Sequence, residues 1–301
     1  MNRLEAMTIL LAAVDSGSLS AAGRQLHVPL ATVSRRVSEL EEHLKVRLLL
    51  RGTRKLVLTD AGRAYVVACR RIVEDIADAE RTAAGEYRAP QGELIISVPP
   101  VMGRRHVLPV VVEFLRAYPD IRMRLQMTDR PVNLLEEHVD LALRVGELPD
   151  SSMIATRVGL LRRVLCASPA YVKVRGAPKK PTDLASHDCV SNENSATSSN
   201  WEFRVEGSLN TILSRPRLIV NSAEAAVIAA SAGVGIARAL SYQIDHLVKA
   251  GSLVKLLEAY EPAPLPATLI YPSQRQVPLK LRAFLDFSVP LLRDRLGYKK
   301  P

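Results

Sequence analysis

Residues 18–50, SLSAAGRQLHVPLATVSRRVSELEEHLKVRLLL, constrain this chain most, because they read as two short helices around a tight turn with base-reading chemistry on the second. Ser18 is a good N-cap, and Ala21, Ala22 and Leu26 recur at helical spacing, so a first helix of about two turns can pack inward. His27 and Val28 form the turn. Pro29 sits at the first position of the second helix, where a missing N–H costs nothing, and Val33, Val37, Leu40 and Leu44 give that helix one buried stripe. Its opposite face begins with Pro29, Leu30, Ala31, Thr32, Ser34, Arg35 and Arg36, offering hydroxyls and guanidinium forks of the kind that bond base edges and phosphates. Ser18 joins this DNA-facing set from the first helix. A helix-turn-helix puts such a second helix into the major groove by its N-terminal residues. A solvated helical hairpin inside a larger fold would show the same local pattern.

The charge distribution favours DNA. The chain of 301 residues has a net charge of +10, and residues 1–71 hold 12 Lys or Arg against 6 Asp or Glu, so most of the excess lies around the helix-turn-helix. After it, LLLRGTRKLVLTDAG reads as a wing, in which Arg51, Thr53, Arg54 and Lys55 reach the backbone or minor groove, and Thr59 caps a new helix. Residues 60–88 contain no proline, and Tyr65, Ala68, Ile72, Ile76, Ala79 and Ala83 line one face, which predicts a long helix paired with its copy in a dimer. A helix lying on its own domain is the other reading. The N-terminal run MNRLEAMTILLAAVDSGSLSAAG resembles a secretory signal, but Glu5 cancels Arg3, and Leu4, Met7, Leu11 and Val14 share a helical face, so it is read as an amphipathic first helix. No apolar run reaches the roughly 18 residues of a bilayer span.

From Ala89 the pattern changes. Ala89, Pro90, Gln91 and Gly92 mark a hinge; then GELIISV is a strand, VPPVMG a loop, RRHVLPVVVEFLRAYP a helix, IRMRLQM a strand, VNLLEEHV a short helix and DLALRVG a strand. This βαβαβ order predicts a parallel, doubly wound sheet. RRVLCAS, WEFRV, PRLIVN, VGIARAL and ATLIYP are further strands, and PAYVKV, AEAAVIAASA, YQIDHLVKAG and residues 278–296 further helices.

Taken together, these segments resemble the LysR-type transcriptional regulators over essentially the whole chain. Residues 1–90 resemble the DNA-binding half. GELIISV, FLRAYPDIRMRLQM, DLALRVGELPDSSMIATRVG, RRVLCASPAY, NSAEAAVIAASAGVGIA and AGSLVKLL resemble the effector-binding half. The resemblance implies an α/β multidomain protein: a winged helix-turn-helix over 1–59, a linker and dimerisation helix over 60–88, and a two-subdomain effector domain of periplasmic-binding-protein type over 89–301. Its subdomains would be about 92–163 plus 267–301, and about 164–266, with crossings near Gly159 and Pro266. A small effector would sit between them, where strand ends and helix N-termini meet. The implied partners are double-stranded DNA, that effector, further copies of the chain as a dimer or tetramer, and RNA polymerase, in the cytoplasm and without a membrane.

Two departures from the family pattern matter. Pro29, Leu30 and Ala31 stand where many members have Ser-Gln-Pro, which leaves Thr32, Ser34 and Arg35 as the base readers. The loop after the first strand carries Pro100, Val101 and Met102 where a hydroxyl is common, so an aromatic or otherwise apolar-bodied effector is expected. Thr128, Trp201 and Ser222 complete the expected cleft set, with an anionic group held at Ser222 at a helix N-terminus.

Other chemistries lack their residues. His27, His43, His106, His138, His187 and His246 show no metal-binding spacing, no GxSxG or phosphate loop occurs, and Cys69, Cys166 and Cys189 form no CxxC, so neither a metal, a cofactor nor a catalytic set is expected. Cys166 and Cys189 read as buried strand residues. The competing function is a solute-binding or enzymatic α/β protein with an accessory helix-turn-helix. DNA binding separates the two: Arg35→Ala should cost about 1–3 kcal/mol on a matched operator and relax one base position, whereas Arg54→Ala should weaken all sequences evenly. Equal losses for Arg35→Ala on matched and scrambled duplexes would remove its base-reading role.

Overall fold

Six small or branched residues near the N-terminus, Ala6, Ile9, Leu10, Leu11, Ala12 and Ala13, are all buried, and they make helix α1 (Arg3–Ser16) the centre of the first unit. A computed structural model describes residues 2–50, 56–83, 89–148, 153–192, 200–273 and 277–298 and divides the chain into two units, Met1–Gly92 and Glu93–Pro301. Asn2 caps α1 by accepting the Glu5 N–H, and Gly17 ends it at φ 74°, a conformation suited to glycine. Helices α2 (Leu19–Leu26), α3 (Leu30–Leu44) and α4 (Asp60–Ala83) all pack on α1. The packing face expected from Leu4, Met7, Leu11 and Val14 is therefore shifted. Leu4 is exposed and Met7 and Val14 are only partly buried, because small side chains at Ala6, Ala12 and Ala13 let three neighbours close around the helix. No single helix among the described residues is long and apolar enough to cross a membrane.

Ser18 Oγ accepts the Ala21 N–H at 3.1 Å and starts α2. The turn then depends on Gly23, where a Cβ would lie 2.7 Å from the Val28 carbonyl oxygen, and on His27, which adopts the left-handed conformation at φ 54°. Pro29 is the N-cap of α3, with ψ 141°, so that helix begins one residue later than its sequence suggests. Val33, Val37 and Leu40 are buried and Leu44 is partly buried, in line with the expected stripe.

A side chain the sequence reading did not single out joins α3 to the wing. Glu41 is buried, and its carboxylate accepts the N–H groups of Leu48 (2.8 Å) and Leu49 (3.0 Å) and pairs with Arg47 (2.8 Å). Leu49 then bridges Leu58 and the Leu50 N–H reaches the Val57 carbonyl at 2.8 Å, closing the base of the wing. Arg51, Thr53, Arg54 and Lys55 lie outside the described residues. Thr59 Oγ1 accepts the Gly62 N–H at 2.9 Å at the start of α4. Helix α4 packs Gly62, Val66 and Cys69 on the core of its own unit, with Tyr65 alongside, while Val67 and Ile72 of the same helix are exposed. The expected single pairing stripe is thus divided: Tyr65 belongs to the core and Ile72 to the outside. The side chains of Ala79 and Ala83, and residues 84–88, lie outside the described residues.

The second unit contains two five-stranded sheets. The first has the order β2 (Ile121–Met127), β1 (Gly92–Val98), β3 (Leu141–Val145), β12 (Leu265–Pro272), β4 (Met153–Leu161). Strands β1 and β3 are parallel, but β12 runs antiparallel to both β3 and β4, so the sheet is mixed rather than all parallel. The reason is topological: the chain leaves this subdomain along β4 and returns along β12, and two neighbouring strands that exit and re-enter must oppose each other. The second sheet has the order β11 (Val254–Leu256), β5 (Arg163–Ala167), β10 (Ile236–Leu240), β6 (Cys189–Asn192), β9 (Pro216–Val220). Strands β7 (Asn200–Val205) and β8 (Ser208–Leu213) form a separate hairpin, whose turn residues Glu206 and Gly207 both have positive φ, as a two-residue hairpin turn requires. Strands β4 and β8 are not marked by the periodicity of the sequence, whereas β6 begins at Cys189, which was expected in a buried strand.

Helices α5 (Pro100–Met102) and α6 (Leu108–Ala117), joined by a π-helical turn over Gly103–Val107, cover the first sheet with α10 (Leu279–Arg295). Helices α7 (Pro169–Arg175), α8 (Ala223–Ser231) and α9 (Ser241–Lys249) belong to the second subdomain. Two local expectations fail here. The segment expected as the loop VPPVMG is mostly helical, because Pro99 acts as N-cap and Pro100 fixes φ at the first helical position. The segment VNLLEEHV is a run of turns, because the Asn133 side chain takes the Leu135 N–H (3.1 Å) and His138 enters positive φ.

Glu41 yields a stability prediction. Burial raises its pKa, but the hydrogen bonds from Leu49, Arg47 and Leu48 outweigh that and hold it below the usual glutamate value. A depressed folded-state pKa contributes stability that is fully present above the ordinary glutamate pKa and is lost as the pH falls through the folded-state value. Glu41→Ala strands two N–H groups, at a cost of about 1–3 kcal/mol near neutral pH. Hydrogen exchange of the α3 amides in the full chain should show that deficit at neutral pH and its disappearance in acid.

Candidate effector cleft and DNA-reading helix

The N-terminal end of α3 is open. Pro29, Leu30, Ala31, Ser34 and Arg35 are exposed and Thr32 is half-buried, with the Arg35 side chain 64% exposed and only loosely paired to Glu39 at 3.9 Å. Arg36 is different. Its guanidinium bonds Glu39 at 3.1 Å and Glu5 of α1 at 3.2 Å, and both carboxylates raise its pKa further. Arg36 thus ties α3 to α1, because α1 brings Glu5 within reach. Ser18 has its hydroxyl engaged as the α2 cap.

In the second unit, a cavity of about 300 Å³ opens between the two subdomains, and β-strand ends from both sheets line it. One wall offers Pro99, Thr128, Asp129, Arg144 and Val145; the other offers Arg163, Val190, Trp201, Arg238, Leu240 and Tyr242, among others. Three guanidinium groups therefore share one small space. Arg163 pairs with Glu202 at 2.7 Å. Among the described residues Arg144 bonds neutral acceptors within its own wall, Ser97 Oγ at 3.2 Å and the Leu143 carbonyl at 3.1 Å, and burial lowers its pKa. Burial, and then repulsion from Arg163, bring Arg238 down to about 10, with Glu202 opposing. Arg238 donates to the Asn200 carbonyl at 3.1 Å and lies 5.9 Å from the centre of the Trp201 ring. Burial also raises the pKa of Asp129 and of the Tyr242 hydroxyl.

The cleft is also held together at one edge. The π-helical turn of the first subdomain presents three successive side chains to the second: Arg104 pairs with Glu224 at the start of α8, Arg105 meets His246 Nε2 of α9 at 2.7 Å, and His106 stacks edge-on against Tyr242 at 5.8 Å. A π-helical turn inserts an extra residue per turn, which brings such a run to one side. The two crossings of the chain are joined by an Arg162–Glu261 pair at 3.4 Å. These crossings lie at Arg162 and at residues 262–264, a few residues from the positions expected at Gly159 and Pro266, since β4 runs to Leu161 and β12 begins at Leu265.

Comparison with known proteins fixes the family. The model for the LysR substrate binding domain matches residues 88–293, and that for the bacterial regulatory helix-turn-helix protein, lysR family, matches residues 4–63. The chain belongs to the LysR family of transcriptional regulators. It is 34% identical to the HTH-type transcriptional regulator CrgA of Neisseria meningitidis, over 97% of this chain and 98% of that protein. It is 32% identical to the HTH-type transcriptional activator AaeR of Escherichia coli, over 95% and 93%. Among solved structures, CrgA superposes with a TM-score of 0.63 at 33% identity, covering 97% and 98% of the two chains, and the full-length Vibrio cholerae virulence activator AphB with 0.61 at 28%, covering 95% and 98%. Like these LysR-type regulators, the chain joins an N-terminal helix-turn-helix to a C-terminal α/β effector-binding domain.

In this regulator the residues expected at the effector site divide. Thr128 and Trp201 line the cavity. Val101 and Met102 do not: once Pro100 starts a helix, both turn into the core of the first subdomain, and Pro99 rather than Pro100 reaches the cleft. Ser222 also lies off the cavity lining, and its hydroxyl accepts the Ala225 N–H at 3.3 Å as the α8 cap. The sequence reading missed Asp129, Arg144, Arg163, Arg238 and Tyr242. Their only sequence signal is a charged residue interrupting an apolar strand, as in LALRV and IARAL. Cys166 and Cys189 lie on β5 and β6, the strands on either side of β10, and burial raises their pKa to about 12 and about 11, so neither thiol is activated. Among the described residues no group of three His, Cys, Asp or Glu side chains is placed to hold a metal.

Trp201 is the single tryptophan of the chain and touches the cavity, so an occupying ligand should change its emission. A ligand that stabilises the protein to heat while leaving Trp201 emission unaltered would bind outside this cleft.

Proposed function

We propose that this regulator reads its operator with Thr32, Ser34 and Arg35 at the N-terminal end of α3, and that an anionic small molecule with an apolar or aromatic body modulates that reading from the cleft. The three guanidinium groups sharing one cavity carry the effector half of this proposal. Removing them from water lowers the pKa of Arg144 and Arg238, so an anion that replaces the lost hydration binds with charge-assisted hydrogen bonds. The anion site is thus assigned to the arginines and not to Ser222. Trp201, Val145, Leu240 and Leu265 supply the apolar lining, and a cavity near the lower end of the usual range of about 300–1,000 Å³ suits a small ligand. The wing residues Arg51, Thr53, Arg54 and Lys55 add phosphate contacts that carry affinity rather than discrimination.

Closure of the cleft around the effector is the switching motion. The Arg104–Glu224 and Arg105–His246 contacts favour one arrangement of the subdomains, and the effector acts by binding one arrangement more tightly than the other, since equal affinity shifts nothing. The protein works in the cytoplasm as an oligomer on double-stranded DNA, communicates with RNA polymerase, and acts as a regulator without turnover of the effector. Ile72 and Val67, exposed on α4, support a pairing seam on that helix.

The test is operator binding by the full chain with and without an anionic ligand found by thermal shift. Arg144→Gln and Arg238→Met should remove the effect of the ligand on DNA binding while operator affinity in its absence stays within about threefold of the parent. Ile72→Asp with Ile76→Asp should lower the oligomeric state by light scattering and abolish tight binding to a two-half-site operator, because buried charges in a helix seam are costly. An unchanged oligomer would place the seam elsewhere.

A further inference from the structure

The cleft holds two opposite charges that the protein does not use to satisfy each other. Asp129 follows β2 and Arg144 lies on β3, both on the wall of the first subdomain, and both line the cavity. Neighbouring charges are already engaged elsewhere: Arg130, next to Asp129 in sequence, turns to Glu137 with Nη1 2.8 Å from Oε1, and Glu202 takes Arg163 at 2.7 Å. Arg144 rests on the Ser97 hydroxyl and the Leu143 carbonyl, which hold it in place without neutralising it. Electrostatics agree with the geometry. Burial lifts the carboxyl of Asp129, and the charges acting on Arg144 after its own burial are Glu137 and Arg130, not Asp129.

A plain monoanion would answer only half of this arrangement. With its carboxylate on Arg144 it would bring a second negative charge into the same small cavity as Asp129 and offer that solvent-facing carboxylate no hydrogen-bond donor. A ligand that carries a cation next to its anion satisfies both. We propose, building on the anionic reading of the cleft, that the effector is an α-amino acid or a molecule with the same two groups, its carboxylate held by Arg144, its ammonium by Asp129, and its side chain lodged among Trp201, Leu240 and Leu265. Asp129 is then the residue that sets specificity between an amino acid and the corresponding simple acid. The carboxylate oxygens accept from the fixed fork of Arg144 and the three ammonium hydrogens are donors that Asp129 can accept.

The experiment is calorimetry on the full-length chain, with Trp201 emission recorded in parallel, using the common L-amino acids and, for each, the acid lacking the amino group, such as L-phenylalanine against 3-phenylpropionate and L-leucine against 4-methylpentanoate. At least one amino acid should bind with a change in Trp201 emission, and its deaminated counterpart should bind at least about tenfold more weakly. Asp129→Asn should cost the amino acid about tenfold or more and leave the plain acid equal or tighter, while Arg144→Gln weakens both. The inference is overturned if the plain acids bind as tightly as the amino acids and Asp129→Asn leaves that ratio unchanged. In that case, sensitivity of the plain acids to Arg144→Gln keeps the anionic cleft intact. If neither series binds or alters Trp201 emission, the zwitterion and the small-carboxylate reading of the cleft fail together.

Discussion

The effector half depends on one pairing, the antiparallel ladder between β4 and β12. The chain leaves the first sheet on one of these strands and returns on the other, so every contact between the subdomains is referred to a pair of crossings at Arg162 and residues 262–264. The Arg162–Glu261 pair ties the crossings to each other. Burial raises the pKa of Glu261 and Arg162 only partly offsets this, so the tie keeps a charge in a place where it is costly. The two crossings of the chain and the contacts of the π-helical turn tie the subdomains together, and strand ends from both sheets line the cavity between them. That is the geometry expected where open α/β sheets face each other.

Charge in that opening is arranged at the expense of stability. Among the described residues Arg144 loses hydration to burial while bonding neutral acceptors, and Arg163 and Arg238 repel each other. Groups held in this way gain more from a ligand than solvated ones would, because the ligand removes an existing penalty as well as adding bonds. The buried ring of Trp201 supports the same end: it carries Arg238 on its face and presents an apolar surface to the cavity.

The DNA-binding unit divides its charges by a similar logic. Arg36 and Glu41 face the same helix bundle and are consumed by it, one by Glu5 and Glu39, the other by the backbone of the wing. Arg35, one position away, points outward and keeps its guanidinium available. A helix that must present its N-terminal residues to a groove needs its other polar groups fixed, and the close approach of Gly62 to the Leu48 carbonyl, where a Cβ would stand 2.1 Å away, adds a steric stop behind it.

What the sequence determined by itself was local and periodic. The 3.6-residue spacing of Val33, Val37, Leu40 and Leu44, the cap at Ser18 and the order of strands and helices after Ala89 follow from short-range preferences, and they identify the helix-turn-helix and the α/β half. The cleft was decided by tertiary structure. Arg144, Arg163 and Arg238 lie on β3, β5 and β10, strands of two different sheets, and nothing in their spacing signals that they meet. Likewise Val101 and Met102 have the composition of a ligand-facing loop, but the fixed φ of Pro100 starts a helix there, and a helix must turn its apolar residues toward the nearest core. Periodicity reports which face of an element is buried; only the packing of sheets against one another decides which charges end up facing the same empty space.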